Sequence, residues 1–527
     1  MTSTPQLQQD PVMDRVPIEI IEAFGHYLNG PSLLACIQVC QRWHQVLRPL
    51  LWTSITKTQF YHPQFPLHSQ CTPEDIAALQ KDLFQVRHIE WSCKATTNSR
   101  RWQAPRKPTM VVSMDQLHLI FTYTSNLQTL TLHLWGMDTR LACLEALNPR
   151  TLRRLEITAA KEECVALDRI LPLLSGLKEL RLSGRHSSWT PSVSRTSQPP
   201  PGTIFKLTRL HIHCLDKALL QYCPELRELE LYWPTLSYPH TPLAFREILT
   251  CTKLETLTFT PDQGLPLVQD LPEVLTSLRG LKRLTFAANS VAEVEFLCAL
   301  DAGDMAPQMT ERTTNGLDSQ HGRGEKALVL PLLEYLHITA GEDLPTDDHN
   351  LTRLHQWLNL LLGSRPALKT IIVQDLEFDP RELSMENWAC KDLEALSLEF
   401  SWTLSALPDE ERVGLWRRVY RQIGTFSKLK TLMLRCAGLE MGDDSGIEAL
   451  AGARGLKQLA LADELSETWS RKEVGRLLQI FPMLTALCLY PLLSDEEATT
   501  WLQESESPLE LTSHGAMMQT LGDKTMY

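Results

Sequence analysis

Residues 223–231, CPELRELEL, carry the pattern that decides the fold: Leu226, Leu229 and Leu231 are spaced by three positions and then by two, behind a prefix containing Pro224. The spacing of two is strand alternation, so Leu229 and Leu231 share one face while Glu228 and Glu230 point to the other. The prefix returns as Arg365-Pro366-Ala367-Leu368 and as Phe481-Pro482-Met483-Leu484.

The apolar triplet itself recurs along most of the chain. Before residue 226 it occurs as Leu127-Leu130-Leu132, Leu152-Leu155-Ile157, Leu177-Leu180-Leu182 and Leu207-Leu210-Ile212. After it come Leu254-Leu257-Phe259, Leu281-Leu284-Phe286, Leu333-Leu336-Ile338, Leu368-Ile371-Val373, Leu393-Leu396-Leu398, Leu429-Leu432-Leu434, Leu456-Leu459-Leu461 and Leu484-Leu487-Leu489. Successive first leucines lie 19 to 36 residues apart, apart from one interval of 52. Most of these fall in or near the range of leucine-rich repeats. Helix-like segments at 166–174, 271–278, 354–362, 415–423 and 474–480 each precede a triplet. A helix feeding a short strand at fixed offset predicts an α/β solenoid, with parallel strands on a concave face and helices on the convex face. The Asn or Cys expected five residues after the second leucine is replaced by Trp135, Ala160, Arg185, Leu215 and Pro234, with only Asn289 matching, so the repeats are irregular.

The array is expected over residues 85–500, with polar loop insertions at 92–110, 184–202 and 301–326 and a tail at 504–527. Residues 1–10 read as a disordered N-terminus, 11–56 as a helical module and 57–84 as a linker. In the module, Pro17 suits a first helical turn, and Ile20, Ile21, Phe24 and Leu28 follow at helical spacing. Asn29-Gly30-Pro31 breaks the helix, Ser32 is a plausible next N-cap, and Leu33, Ile37, Cys40, Trp43 and Leu47 continue the apolar pattern.

The order Pro17, Ile20-Ile21, Leu28, Ser32-Leu33-Leu34, Val39-Cys40, Trp43 and Leu51-Trp52 resembles an F-box, a three-helix module. Val16 stands where the family usually has leucine, and Ser32 where it often has aspartate. The resemblance, closest to fungal-type F-box proteins with C-terminal leucine-rich repeats, implies docking onto the small adaptor of an SCF ubiquitin ligase and, through it, a cullin. The remainder of the chain would present a protein substrate, and other subunits would perform ubiquitin transfer. The implied adaptor contacts are Pro17, Ile20, Ile21, Leu28, Leu33, Leu34, Val39 and Cys40, with Phe24, Ile37 and Trp43 forming the module's core. The alternative is a repeat scaffold whose N-terminal helices merely cap the solenoid. Exposure of Ile20, Ile21, Leu33, Leu34 and Val39 favours adaptor docking, and burial of all five favours the cap.

With 527 residues, a net charge of −12 and a pI near 5.8, nucleic acid is not the expected partner. The 13 cysteines form no CxxC pair, there is no signal-peptide pattern, and no apolar run is long enough to span a membrane. A cytoplasmic or nuclear location is expected. Phosphate-loop, GxSxG, HExxH and GxGxxG motifs are absent, so neither a catalytic residue nor a cofactor is expected. His211, His213, Cys214 and Cys223 could be drawn as a zinc set, but strand alternation turns Cys214 away from the two histidines, and no metal site is expected. The candidate substrate-binding side chains flank the strand leucines: Arg154, Arg181, Arg209, His211, His213, Glu228, Glu230 and Tyr232, with Glu156 among them.

Overall fold

The computed structural model describes residues 16–56, 72–94, 114–135, 142–159, 174–184, 204–212, 217–232, 245–260, 274–275, 277–288, 330–340, 358–359, 362–381, 383, 385, 388–400, 407–436, 439, 446–463, 471–490 and 510–511. Two compact units, 1–240 and 241–527, divide the chain.

The first unit begins with three helices, α1 (Ile18–Gly25), α2 (Gly30–Cys36) and α3 (Gln41–Thr53). Pro17 is the N-cap of α1 and stands just outside its first turn. The cap of α2 is Asn29 and not Ser32: its Oδ1 accepts the Ser32 N–H at 3.0 Å. Asparagine one turn earlier reaches that amide, while Pro31 inside the turn has no N–H to satisfy. Cys40 plays the corresponding part for α3, its Sγ accepting from the Trp43 N–H at 3.5 Å. The second helical segment is thus two helices with a break at Ile37–Cys40. Gly25 lets α1 approach α3 closely, because a Cβ there would stand 2.5 Å from Leu50 and 2.6 Å from Leu47.

Strand β1 (Ser54–Ile55) follows α3 directly and pairs in parallel with β2 (His88–Lys94), across the helices α4 (Pro73–Ala78) and α5 (Gln80–Leu83). The first strand of the stack therefore lies inside the expected module span, and the part of the linker from Pro73 to Phe84, where Ile76, Leu79 and Leu83 recur at the spacing of a short helix, forms α4 and α5. The unit continues through α6 (Met114–Tyr123), β3 (Thr129–Trp135), β4 (Arg154–Ala159), β5 (Glu179–Gly184), β6 (Arg209–Ile212), α7 (Lys217–Leu220) and β7 (Glu228–Tyr232). Each strand pairs in parallel with the next, in sequence order.

The second unit has the same plan. Its elements are β8 (Thr256–Thr260), β9 (Arg283–Ala288), β10 (Tyr335–Ala340), β11 (Thr370–Phe378), β12 (Ala395–Phe400), α8 (Asp409–Ile423), β13 (Thr431–Cys436), β14 (Gln458–Asp463), α9 (Arg471–Ile480), β15 (Ala486–Tyr490) and β16 (Glu510–Leu511). Again every neighbour is parallel and sequential. The last strand falls within the expected tail. Strands β2 and β5 run to Lys94 and Gly184, so the first two insertions begin after those residues. The 1–10 segment, the 301–326 insertion and the helix-like run 166–173 lie outside the described residues.

The triplets form the core: no member of the thirteen is more than 5% exposed. Their middle residues stack in register, Leu130, Leu155, Leu180, Leu210 and Leu229 in the first unit and Leu257, Leu284, Leu336, Ile371, Leu396, Leu432, Leu459 and Leu487 in the second. Helix α8 lays Trp416, Val419, Tyr420 and Ile423 on this core, with Trp416 edge-on to Phe400 at 5.2 Å.

One backbone device repeats at the start of the strands. Two consecutive N–H groups donate to a single carbonyl of the preceding repeat, as when Arg153 and Arg154 both donate to Gln128 O at 2.7 and 3.0 Å. Lys178 and Glu179 do the same to Arg153 O, Glu334 and Tyr335 to Lys282 O, and Thr485 and Ala486 to Lys457 O. A carbonyl has two lone pairs, so one acceptor serves both donors, and the strand phase is set by main chain alone. This works without the missing consensus Asn, and it spans the 52-residue interval between Leu281 and Leu333.

Candidate protein-interaction surfaces

The N-terminal helices present apolar side chains to solvent. Ile20 is 58% exposed, Phe24 46%, Tyr27 89% and Val39 46%. Ile20 and Phe24 are four residues apart and share a helix face. Phe24 meets the Trp43 ring edge-on at 6.0 Å, which joins this face to α3. Phe24, expected in the core, is therefore only partly covered, because the close α1–α3 crossing at Gly25 leaves its outer ring face in solvent. Ile21, Leu33 and Leu34 are buried, Leu28, Ile37, Cys40 and Trp43 are half-buried, and Pro17 is exposed. The five diagnostic residues thus divide, with Ile20 and Val39 outside and Ile21, Leu33 and Leu34 inside. Tyr27 went unnoticed in the sequence because it lies past the helix end, where periodicity gives no signal.

On the other side of the module, α3 seals the repeat stack. Leu47, Leu51 and Trp52 are buried, and Arg48 reaches Asp82 of α5 at 2.6 Å.

The candidate substrate side chains of the first unit form two rows across the strands. One row runs Arg154, Glu179, Arg209, Glu228, and the next Glu156, Arg181, His211, Glu230. The signs alternate along the first row, whereas in the second His211 follows Arg181 and at β7 Glu228 and Glu230 stand two apart on the same strand. Arg154 lies 3.0 Å from Glu156 and 3.5 Å from Glu179; Arg181 lies 2.7 Å from Glu179; and Arg209 is 3.6 Å from Glu179 and 3.2 Å from Glu228. His211 Nδ1 contacts Glu230. The arrangement is an ion-paired lattice and not an arginine cluster for phosphate. Tyr232 ends β7, and its side chain, like His213 and Cys214, lies outside the described residues. Cys223 is buried and donates to Leu219 O at 3.4 Å. Among the described residues, no group of three or more His, Cys, Asp or Glu is placed to hold a metal, and no helix is long and apolar enough to cross a membrane.

The same strand face differs in the second unit. Its middle row, running Ile372, Ser397, Met433, Ala460, Cys488, is buried and mostly small or apolar. Beside it a pocket of about 60 Å³ is lined by Gln374, Asp375, Ser397, Glu399, Met433, Arg435 and Ala460, among others. A bulge in β11 builds it: register against β12 shifts between Ile372 and Glu377, and Asp375 takes φ 55°, a left-handed conformation that aspartate tolerates. Glu399 accepts the Asp375 N–H at 3.0 Å and meets Arg435 at 3.2 Å. Burial pushes the Glu399 carboxyl above its ordinary range, and Arg435 opposes that only in part. His337, bonded to Gln374 at 2.8 Å, is held below its ordinary value, chiefly by burial. The sequence signal for the bulge was available: Ile371 and Val373 are two apart, and so are Leu376 and Phe378, but three positions separate the pairs.

Residues 13–58 match the family model described as F-box-like. The F-box-like domain therefore comprises α1 to α3 and β1, and its C-terminal strand is already part of the repeat stack. No curated protein matches the chain. A solved leucine-rich repeat protein of Leptospira interrogans aligns with 78% of this chain and 97% of its own, at 15% identity and a TM-score of 0.28. At that score, the fold rests on the strand registers given above.

Proposed function

We propose that this chain is the substrate-recognition subunit of an SCF-type ubiquitin ligase, of the fungal F-box and leucine-rich repeat kind. The F-box-like domain would dock the small adaptor and, through it, a cullin, and the repeats would hold a protein substrate. In this reading the chain is not an enzyme. It raises the local concentration of substrate near a ubiquitin-charged subunit, which accelerates transfer by proximity. A cytoplasmic or nuclear location follows from that role. The observation that carries the proposal is the exposed apolar group Ile20, Phe24, Tyr27 and Val39 within a domain that matches the F-box-like model. Exposed apolar area of this kind on a small helical unit favours association.

The competing reading, a scaffold with a helical cap and no ligase role, is favoured by the Arg48–Asp82 ion pair and the β1–β2 pairing, which tie α3 to the first repeat. The two readings assign different faces. Sealing uses Leu47, Leu51 and Trp52, whereas docking uses the exposed face of α1 together with Tyr27 and Val39. Capture of purified SCF adaptor by the full chain tests the proposal, with Ile20→Asp/Val39→Asp as the variant. Both residues are exposed, so folding should survive while capture falls at least about tenfold. Equal capture by both proteins, or none by either, leaves the scaffold reading.

A further inference from the structure

The pocket on the second unit has features that the ion-paired lattice of the first unit lacks. Asp375 and Glu399 share the Arg435 guanidinium, at 3.7 and 3.2 Å, which leaves the two carboxylates with one negative charge in surplus. Glu377 stands opposite Glu399 across the strands and adds to the negative potential. Met433 and Ala460, each 2% exposed, provide an apolar floor. Ser397 is the second, independent sign. Its side chain lines the pocket, the residue is 6% exposed, and its hydroxyl has no hydrogen-bond partner among the described residues. The hydroxyl opens to the pocket, so a ligand group that hydrogen-bonds to it can take the place of water there. The rim is open, since the Asp375 side chain is 61% exposed and that of Arg435 40%.

We infer that this pocket receives a basic side chain of a protein partner, its methylene stem against Met433 and Ala460 and its cationic head between Asp375, Glu399 and the Ser397 hydroxyl. The combination selects for that chemistry. A carboxylate would meet surplus negative charge, and an apolar side chain would leave Ser397 and the acids unpaired. The inference rests on the reading of the repeats as the partner-binding part of the chain.

The experiment uses the purified full chain on an array of nonapeptides, each with one central lysine among uncharged residues, alongside the same array bearing Nε-acetyllysine. A subset of lysine peptides should be retained, with acetylation lowering retention about tenfold. Asp375→Asn/Glu399→Gln should lower it to a similar degree. Asparagine tolerates the left-handed backbone at residue 375, and glutamine can still accept the Asp375 N–H, so both changes remove charge while keeping the bulge. Ser397→Ala, the smallest change, should lower retention several-fold, and Glu74→Gln, on the exposed first turn of α4, should leave it unchanged. Melting curves on each variant separate lost binding from lost folding. No lysine-dependent retention, or retention that survives the double substitution, overturns the inference. Adaptor capture is measured on the same preparations. Capture without lysine preference overturns only the pocket, and lysine preference without capture overturns only the ligase reading.

Discussion

Glycine-to-alanine substitution should have opposite effects in the middle of α8 and at its C-terminus. Gly414 lies in its exposed interior, where an added Cβ would meet nothing within 4 Å. Alanine there restores helix propensity and should stabilise by up to about 1 kcal/mol. Gly424 caps the C-terminus with φ −59°, an ordinary helical value, so its backbone gives no reason for glycine. The reason is space. A Cβ at residue 424 would stand 2.0 Å from Ala449 O and 2.9 Å from Ala449 C, where ordinary contact begins at 3.4 Å. Both are main-chain atoms of the 3-10 turn Ile447–Gly452, so no side chain can swing aside and the turn must retreat by more than an ångström. Overpacking that moves backbone costs about 3 kcal/mol or more. At about 2–4 °C per kcal/mol for a unit of this size, Gly424→Ala should lower the melting midpoint by roughly 6–12 °C and Gly414→Ala raise it slightly. Gly452→Ala, whose Cβ would stand 2.1 Å from Gly424 O, should behave like Gly424→Ala. The double variant should cost less than the sum of the two, because both intrude on the same gap. Scanning calorimetry of the full chain reads all four. A Gly424→Ala midpoint within a degree of wild type, or a shift of the same sign at Gly414 and Gly424, would refute the close-approach argument.

The Glu399 carboxyl is raised by burial, so the native state holds its proton more tightly than the unfolded chain does. The charged form therefore destabilises the fold at neutral pH: Glu399→Gln should raise the melting temperature at pH 7, with the gain shrinking as pH falls into the carboxylate range. A pH-independent difference would count against it. Cys251 and Cys390 are pushed up to about 11 by burial, which leaves only about one thiolate per thousand at pH 8. Mass-mapped alkylation of the native chain should label the half-buried Cys36 and Cys40 well before either of them. Arg48→Ala should leave the nearly buried Asp82 unpaired and cost about 1–2 kcal/mol, detectable as faster proteolysis between α3 and β2 without any change in adaptor capture.

The repeat core was legible because strand alternation and a fixed triplet act locally: Leu226, Leu229 and Leu231 declare their face with no knowledge of neighbours. Charge pairing on the opposite face was half legible. Aligning the triplets puts Arg154, Glu179, Arg209 and Glu228 in one column, but their contacts exist only once the strands pair in parallel. The N-terminal face was harder to read. Helical periodicity groups Ile20, Ile21, Phe24 and Leu28 together, yet which of them stays outside depends on how tightly α1 crosses α3, and that is set by Gly25. The pocket was least legible, since a bulge of three extra residues around Asp375 turns an ordinary strand end into a concavity and brings Glu399 and Arg435 to its rim.

The paired donors at the strand starts have a further consequence. Because the strands that carry this device take their phase from one carbonyl immediately beside them, an insertion upstream leaves no accumulated error downstream. Lengthening a connection adds only about 0.6 kcal/mol of closure entropy per doubling. Segments between repeats can thus grow, shrink or be exchanged while the rows of side chains on the sheet stay aligned. In such a chain the recognition rows and the connecting segments vary independently, so a new partner can be acquired at one without the fold being solved again at the other.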